Sequence, residues 1–265
     1  MRKIQVLFTT MLALLVLASC DNTEVGESRI IVSLTDSPGD YESVNIDIQS
    51  VQIHRTGDGD ESGWVDLPNV NAGVYDLLEL TNGTEVVLSD GSLPTGTISQ
   101  MRLVLGDENT LLLEGEPDPI ALSTPSAQQS GLKLQINETL ELGLTYTFKL
   151  DFDAAKSVVQ AGNSGKYNLK PVIRVLTEAT SGAIAGKVDP AAESVAVHAI
   201  QGEDTIATSY AVSDVSEFII GGLEAGDYNV AFDAGEASEF ASSLVENVSV
   251  SVGVVTQVET VTLVP

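Results

Sequence analysis

The sequence predicts an all-β protein built from two β-sandwich domains. Valine, isoleucine, threonine and glycine recur along the whole chain, which is typical of strands and of the turns between them. The clearest single strand is residues 144–152, where large apolar side chains alternate with polar ones. With 265 residues, 43% of them hydrophobic and 19% charged, the chain is too apolar to be disordered and long enough for two cores.

The amino terminus has the features of a secretory signal. The basic pair Arg2-Lys3 precedes an apolar run over residues 6–17, which is too short for a membrane-spanning helix of about 20 apolar residues. The run ends in Leu17-Ala18-Ser19-Cys20, which resembles the lipobox of bacterial lipoproteins. The resemblance implies that residues 1–19 are removed and that Cys20, the only cysteine, carries the lipid. An ordinary signal peptide followed by a chance cysteine is the alternative.

The charge balance restricts the possible partners. The chain has 38 acidic and 12 basic residues, a formal net charge of −26. This balance argues against nucleic acid, whose phosphates require clusters of Lys and Arg, and against a polybasic membrane patch, because anionic headgroups repel an acidic surface. Membrane contact is therefore expected through the N-terminal lipid only. Divalent cations, a glycan, or an envelope or surface protein stay open as partners.

The first domain is predicted over residues 29–178, after a polar, acidic tether at 20–28. It opens with a strand at 29–35, and the next strand, 44–53, contains a bulge near residues 49–50 because its alternation shifts there. One short helix is predicted at 153–159, with Asp153 as its N-cap. The remaining strands are predicted at 64–67, 74–80, 85–88, 98–105, 110–113, 131–136, 144–152 and 167–176.

Several sequence blocks of this domain occur in one order. They are LTDSPGDYESVNI (34–46), GWVDL (63–67), YDLLELTNG (75–83), LPTGTISQMRL (93–103), SGLKL (130–134), DFDAAKSVV (151–159) and YNLKPVIRV (167–175). Together they resemble the bacterial lipoprotein family known as domain of unknown function 4382, over roughly residues 29–176. The resemblance implies an envelope lipoprotein with a β-rich domain, and it implies no activity because the family has none assigned.

The second domain is predicted over residues 179–265. Its blocks are GAIAGKV (182–188), EFIIGGLEAGDYNVAF (217–232) and VSVSVGVVTQVETVTL (248–263), which resemble a carboxypeptidase-regulatory-like domain. The resemblance implies a carbohydrate-binding-like fold, with Tyr228 anchored in the core. Most members of that fold carry no proven sugar site. The full fold prediction is therefore two immunoglobulin- or prealbumin-like sandwiches.

The protein is predicted not to be an enzyme. The sequence lacks the Gly-x-Ser-x-Gly elbow and a phosphate-cradling glycine loop. The two histidines, His54 and His198, lie on predicted strands without a thiol partner. Residues 130–133 spell S-x-x-K, but this motif acts at the start of a helix, and here the segment is a predicted strand. No cofactor is predicted apart from a cation.

Calcium is the cation that the sequence favours. Asp58, Asp60 and Asp66 occupy ligand positions of a loop that begins D-x-D-x-S-G, although Asn69 replaces the glutamate expected at its twelfth position. A solvated hairpin tip whose acids prevent edge pairing is the alternative interpretation. Asp151 and Asp153 share a strand face as a second candidate; the alternative is that Asp151 pairs with Lys149 or Lys170, while Asp153 caps the helix.

These observations support three functional hypotheses. The first is a lipid-anchored, non-catalytic binding, adhesion or accessory module of the cell envelope, with the outer membrane as its location. The second is a structural subunit of a surface assembly such as a fimbria, which would exchange the strand-like terminus 254–263. The third is a calcium-dependent adhesion module. Trp64, the only tryptophan, is expected to be buried and not to serve as a sugar-binding platform. Burial of one large aromatic ring contributes several kcal/mol to the stability of a small core.

Overall fold

The computed structural model is all-β, as the sequence predicts, and its sheets form two sandwiches. It describes residues 26–37, 39–56, 63–124, 131–189, 195–211, 216–235 and 238–265. The first sandwich contains β1 (Glu27–Ser37), β2 (Ser43–Arg55), β3 (Trp64–Asp66), β4 (Gly73–Asp76), a 3-10 helix (Leu77–Leu80), β5 (Val86–Pro94), β6 (Gly96–Leu105), β7 (Thr110–Leu112), β8 (Ile120–Ser123), β9 (Leu132–Leu140), β10 (Thr145–Asp153), α1 (Ala154–Ser157), β11 (Val158–Gln160), β12 (Tyr167–Leu169) and β13 (Ile173–Ala179).

The first sandwich encloses one hydrophobic core between two sheets. The smaller sheet has the order β13-β10-β1-β5, and the larger has the order β11-β12-β8-β7-β2-β6-β9, with β3 and β4 also paired to β2. Strand β1 runs parallel to β10 and antiparallel to β5. Alternation directs Ile30, Val32 and Leu34 of β1 into this core, where they are buried together with Phe148 and Phe152 of β10.

Local sequence signals explain most of these boundaries. The predicted bulge in β2 is confirmed, because its pairing with β6 shifts between Ile48 and Ser50. The predicted cap is confirmed as well, since Asp153 accepts a 2.9 Å hydrogen bond from the Lys156 amide at the start of α1. Among the described residues, no helix is both long and apolar enough to cross a membrane.

Two predicted strands of the first sandwich are wrong in detail, and one strand was missed. The strand predicted at 74–80 ends at Asp76, because the Asp76 carboxylate accepts the Leu78 amide and starts a 3-10 helix. The strand predicted at 167–176 is interrupted, since Pro171 offers no amide for a ladder and the chain leaves the sheet there. Strand β8 (Ile120–Ser123) was not predicted at all.

The second sandwich has a separate hydrophobic core. Its strands are β14 (Gly182–Asp189), β15 (Val195–Gln201), β16 (Asp204–Ala211), β17 (Glu217–Leu223), β18 (Gly226–Asp233), β19 (Ser243–Val250), β20 (Val255–Gln257) and β21 (Val261–Thr262). One sheet has the order β17-β14-β20, with β21 also paired to β14, and the other has the order β16-β15-β18-β19. Tyr228 is only 2% exposed, and its hydroxyl donates a 3.0 Å hydrogen bond to the Glu224 carbonyl.

The carboxyl-terminal strands belong to the chain's own sheet. Both β20 and β21 pair in parallel with β14, the first strand of the second sandwich. The terminus 254–263, which the fimbrial hypothesis would exchange between subunits, is therefore already hydrogen bonded within this chain. Exchange would first require these ladders to separate.

The two sandwiches meet at closely packed glycines. The Gly143 carbonyl accepts a 3.1 Å hydrogen bond from the Gly222 amide, and the Thr145 amide donates at 2.9 Å to the Ser181 hydroxyl. A Cβ atom on Gly221 would lie 2.4 Å from the Gly143 carbonyl oxygen. This approach is possible only without a side chain at residue 221, because the backbone of Gly143 cannot move aside as a flexible side chain would.

We expect Gly221→Ala to destabilise the protein by roughly 1–3 kcal/mol, because the added methyl group overpacks this junction. Gly73→Ala is the matched control, since a Cβ at Gly73 has nothing within 4 Å. Thermal unfolding should show a lower melting temperature for Gly221→Ala than for the wild type, and little change for Gly73→Ala. Equal melting temperatures for the two variants would show that the junction does not depend on this contact.

Candidate functional site

The outward side of the larger sheet in the first sandwich carries a cluster of polar, basic and aromatic residues. Two rows of side chains cross the neighbouring strands β3, β2, β6 and β9. One row is Asp66, Gln52, Arg102 and Lys133, and the next is Trp64, His54, Gln100 and Gln135. Their chain neighbours Ile53, Met101 and Leu134 point the other way and are buried in the core. We call these two rows the Trp64 face.

The indole of Trp64 lies at the centre of this face. The Arg102 guanidinium carbon stands 3.8 Å from the centroid of the indole, and Lys133 Nζ is 5.7 Å from it. The His54 ring is 5.3 Å away and tilted by 59°. Trp64 was predicted to be buried, but it is only half-buried. It therefore serves as the ring on which two cations from β6 and β9 converge.

Three neighbours hold the Arg102 side chain in place. Its Nη1 donates a 3.4 Å hydrogen bond to Gln52 Oε1, and Gln52 Nε2 in turn donates a 2.9 Å bond to Asp66 Oδ1. The stem of Arg102 passes over Gly131, where a Cβ would lie 2.4 Å from Arg102 Cγ. Gly131 also has a φ of +68°, a conformation that favours glycine. The guanidinium is thus positioned by three contacts: Gly131 lies under the side-chain carbons, Trp64 lies against the guanidinium, and Gln52 accepts a hydrogen bond from Nη1.

The predicted calcium ligands are only partly covered by the structure. Asp58 and Asp60 lie outside the described residues, as does the lipidation residue Cys20. Asp66 is exposed on β3, where its carboxylate accepts the Gln52 amide. Within the described ranges, no group of three or more His, Cys, Asp or Glu residues is arranged to hold a metal ion. The calcium site accordingly stays a prediction.

The second candidate pair, Asp151 and Asp153, is engaged by cations of the protein itself. Asp151 forms a 2.5 Å ion pair with Arg174, not with Lys149 or Lys170 as the alternative predicted. Asp153 forms a 2.6 Å ion pair with Lys156, and this hydrogen bond lowers the pKa of the Asp153 carboxyl group. The two pairs line a cavity of about 260 Å³. This arrangement favours structural ion pairs over a cation site.

Asp36 lies beside these pairs and was not singled out by the sequence. It follows Leu34 on the inward side of β1 and is 6% exposed. Its Oδ1 accepts a 3.0 Å hydrogen bond from the Ala154 amide, while Oδ2 is buried without a partner among the described residues. Burial, reinforced by the charges of Asp153 and Asp151, raises the pKa of Asp36 to about 7.

The two histidines have bonding partners on the strands next to their own. His54 Nδ1 lies 3.1 Å from the Ser99 hydroxyl, and that hydroxyl donates a 3.0 Å bond to the His54 carbonyl. His198 Nδ1 lies 2.8 Å from the Thr208 hydroxyl. Ser130, the first residue of the S-x-x-K match, lies outside the described residues, and Lys133 belongs to β9, a strand and not a helix.

A groove of about 710 Å³ separates the Glu141–Leu142 turn from the second sandwich. Phe218, Ile219, Val255 and Val258 supply its apolar walls. Acidic groups and the ion pair between Lys187 and Glu217, 2.7 Å long, lie at its rim. The groove follows from the junction between the sandwiches and was not foreseen from the sequence.

Sequence reasoning also missed Arg102 and considered Lys133 only as part of the S-x-x-K match, although a signal for both as outward-facing cations was present. Arg102 stands between the apolar residues Met101 and Leu103, and Lys133 stands between Leu132 and Leu134. Alternation within each strand therefore identifies both cations as outward-facing. Their meeting over Trp64 depends on the sheet order, which local patterns do not contain.

We expect stability to decline between pH 4 and pH 7 because of Asp36. Its folded pKa of about 7 lies above the ordinary value of 3.8, so the folded state retains a proton that the unfolded state has lost. The free energy of unfolding should fall as pH rises through this window, and Asp36→Asn should remove about 2–4 kcal/mol of that fall. Urea unfolding from pH 4 to pH 8 measures it, with Asp118→Asn as an exposed-charge control. Parallel pH profiles for wild type and Asp36→Asn would contradict the assignment.

Calcium binding through Asp58, Asp60 and Asp66 would raise the melting temperature. A calcium concentration one hundred times the dissociation constant stabilises a folded protein by about 2.7 kcal/mol. Melting curves of the full-length protein with excess calcium and with chelator measure this effect, and Asp60→Asn should abolish it. Identical curves in both solutions would exclude a stabilising calcium site.

Comparison with solved structures found distant likenesses. The minor pilin GBS52 of Streptococcus agalactiae is 12% identical with a TM-score of 0.25, and the match covers 91% of this chain and 97% of that one. The TIE protein of Bacillus anthracis is 9% identical with a TM-score of 0.22; the match covers 89% of this chain, which spans only 34% of that protein. A leucine-rich repeat protein of Bacteroides thetaiotaomicron is 13% identical with a TM-score of 0.19, covering 91% of this chain and 26% of that one.

The sequence comparisons define the family. No curated protein sequence matches the chain. The family model described as "Domain of unknown function (DUF4382)" matches residues 27–171, from the first residue of β1 to Pro171 between β12 and β13. This range is more than half of the chain and comprises nearly all of the first sandwich, including the Trp64 face. The protein therefore belongs to the DUF4382 family.

Proposed function

We propose that the protein is a lipid-anchored, non-catalytic binding module of the cell envelope, located at the outer membrane. The observation that carries this proposal is the Trp64 face, where Arg102 and Lys133 converge on one half-buried indole. An outward-facing sheet surface with an aromatic ring and cations is suited to holding a ligand. The family has no assigned activity, so the proposal rests on the residues of this chain.

The absence of catalysis is inferred from how the titratable side chains are used. His198 is bonded to Thr208, and Asp151 and Asp153 each pair with a cation. Asp36 has a raised pKa, as catalytic acids often do, but it is buried in the core. A general acid must reach its substrate, and Asp36 is only 6% exposed.

We infer that residues 179–265 are a carboxypeptidase-regulatory-like sandwich. The predicted core positions support this assignment: Phe218, Tyr228 and Phe232 are buried, and the rings of Phe218 and Phe232 meet edge to face at 5.4 Å. The second sandwich packs against the first through glycines, which suits a rigid support for the binding unit better than a freely moving domain.

The lipid anchor at Cys20 accounts for membrane attachment without help from the protein surface. The net charge of −26 opposes contact with anionic headgroups, so attachment must come from acyl chains. Glu27 and Ser28 of the predicted tether belong to β1, which leaves residues 20–26. Seven residues reach roughly 23–25 Å when extended, which is enough to clear the headgroup layer.

We expect Cys20→Ala to abolish lipid attachment and signal processing, because the thiol is the acceptor of the lipid. Metabolic labelling with a radioactive fatty acid should label the wild type and the control Thr23→Ala, but not Cys20→Ala. Normal processing and membrane fractionation of Cys20→Ala, equal to the wild type, would contradict the anchor. Hydrolase activity of the purified full-length protein would contradict the non-catalytic role.

A further inference from the structure

Among the described residues, two cations on the Trp64 face have no carboxylate in an ion pair with them. Five of the Lys and Arg side chains in the described ranges form ion pairs with carboxylates, at 2.5–2.9 Å. Arg102 and Lys133 form none with the described residues, and neither do Arg55, Lys166 and Lys170, although acids outnumber bases by 38 to 12. Among these five cations, Arg102 and Lys133 are distinguished by lying over the same indole.

The guanidinium of Arg102 is prepared to receive an anion. Its stem is held over Gly131, its plane over Trp64 and its Nη1 by Gln52, so little conformational entropy is lost on binding. Within the described residues, the bond to Gln52 is its only hydrogen bond. Stacking on the indole also removes water from one side of the guanidinium, which strengthens its attraction for a carboxylate.

The large negative charge of the protein does not prevent local binding of an anion. At physiological ionic strength the Debye length is about 8 Å, so exposed carboxylates farther away are largely screened. The described acid nearest to Arg102 along its row is Asp66, and its Oδ1 is already bonded to Gln52. A singly charged carboxylate is repelled less by the rest of the surface than a doubly charged phosphate would be.

The rest of the face favours a sugar polymer over a protein partner. Protein interfaces are organised around several buried apolar or aromatic anchors. The Trp64 face offers one indole, and Gln52, Gln100 and Gln135 occupy positions in the same two rows. Amides both donate and accept hydrogen bonds, as sugar hydroxyl groups do. Lys133 and Gln135 are exposed at the β9 side of the face, where a long chain has access.

We propose that the Trp64 face binds a carboxylate-bearing polysaccharide, such as a polymer of uronic acids. Arg102 and Lys133 contact the carboxylate groups, and the three glutamines contact hydroxyl groups of neighbouring sugars. This inference rests on the proposed binding role and names the ligand class for it.

Trp64 is the only tryptophan, so the tryptophan fluorescence of the full-length protein reports on this face and can measure binding. Polygalacturonate and alginate are the probes, and methyl-esterified polygalacturonate is the neutral control with the same backbone. We expect a saturable change in Trp64 emission with at least one of the two uronate polymers, weakened by added salt, and none with the methyl ester. No change with either acidic polymer, or an equal change with the ester, would overturn the proposal.

Two variants and one control test the residues. Arg102→Gln should weaken uronate binding about tenfold, and Lys133→Gln should weaken it severalfold, because each loses one charge-assisted contact. Lys133 is exposed, so its variant keeps the test valid even if Arg102→Gln unfolds. Lys166→Gln removes one exposed positive charge from the turn between β11 and β12, away from the face, and should bind as the wild type does. Equal weakening by all three variants would show a non-specific charge effect and overturn the site.

An acidic peptide and a neutral glycan are the competing ligands. Poly-L-glutamate that binds as tightly as the uronates would overturn the assignment to a polysaccharide. A neutral glycan that is retained by the full-length protein without any change in Trp64 emission would overturn this ligand class and this face. That result would leave the proposed binding role intact, so the two proposals can fail separately.

Discussion

The parallel pairing of β1 with β10 is the constraint on which the rest of the molecule depends. It joins Arg29–Ser37 to Thr145–Asp153 across more than one hundred residues of chain and forms the centre of the smaller sheet. At one end it brings Asp36 against the amide of Ala154 and beside Asp151 and Asp153. At the other end the first residue of β1 meets the Gly143 turn, since the Gly143 amide donates to the Glu27 carbonyl. The proposed lipid anchor would thereby be connected to both the core and the junction with the second sandwich.

The proposed attachment and the proposed recognition would use different sheets. Strand β1, which follows the predicted tether, lies in the smaller sheet, whereas the Trp64 face is the outward side of the larger sheet, across the core from β1. Five of the ten described Lys and Arg side chains form ion pairs within the fold, as the pairs of Arg29 with Asp90 and Lys149 with Glu85 illustrate. Exposed pairs of this kind are each worth at most about 1 kcal/mol, so they adjust a structure that hydrophobic burial already holds together. These exposed ion pairs therefore contribute little to stability, in contrast to the buried carboxyl group of Asp36.

Sequence reasoning predicted what short-range patterns determine and missed what the sheet order determines. Alternation identified β10, and the capping preference of aspartate identified the start of α1 at Asp153. Leu77 and Leu80 are apolar and were assigned to a strand, but their spacing of three residues also suits a helical turn. The carboxylate of Asp76 favours the helical turn, because it caps the 3-10 helix that Leu77 begins. The alternation of Ile30, Val32 and Leu34 already placed Asp36 inside, although nothing local showed which groups would surround it. Arg102 and Trp64 are 38 positions apart, and only the order β3-β2-β6-β9 brings them together.

The contact between Arg102 and the Trp64 indole can serve both the fold and a ligand, because it contributes little to the free energy of folding. A cation over an indole at a partly exposed site contributes about 0.5–1 kcal/mol, a minor share of the roughly 5–15 kcal/mol that stabilises a domain. The hydrophobic core beneath the sheet, with Ile53, Met101 and Leu103 fully or almost fully buried, supplies the much larger share. The sheet therefore keeps its shape whether or not Arg102 stacks on Trp64. The stacking orients a charge at little cost to stability, and a charge held in place by a stable sheet is what recognition of an anion requires.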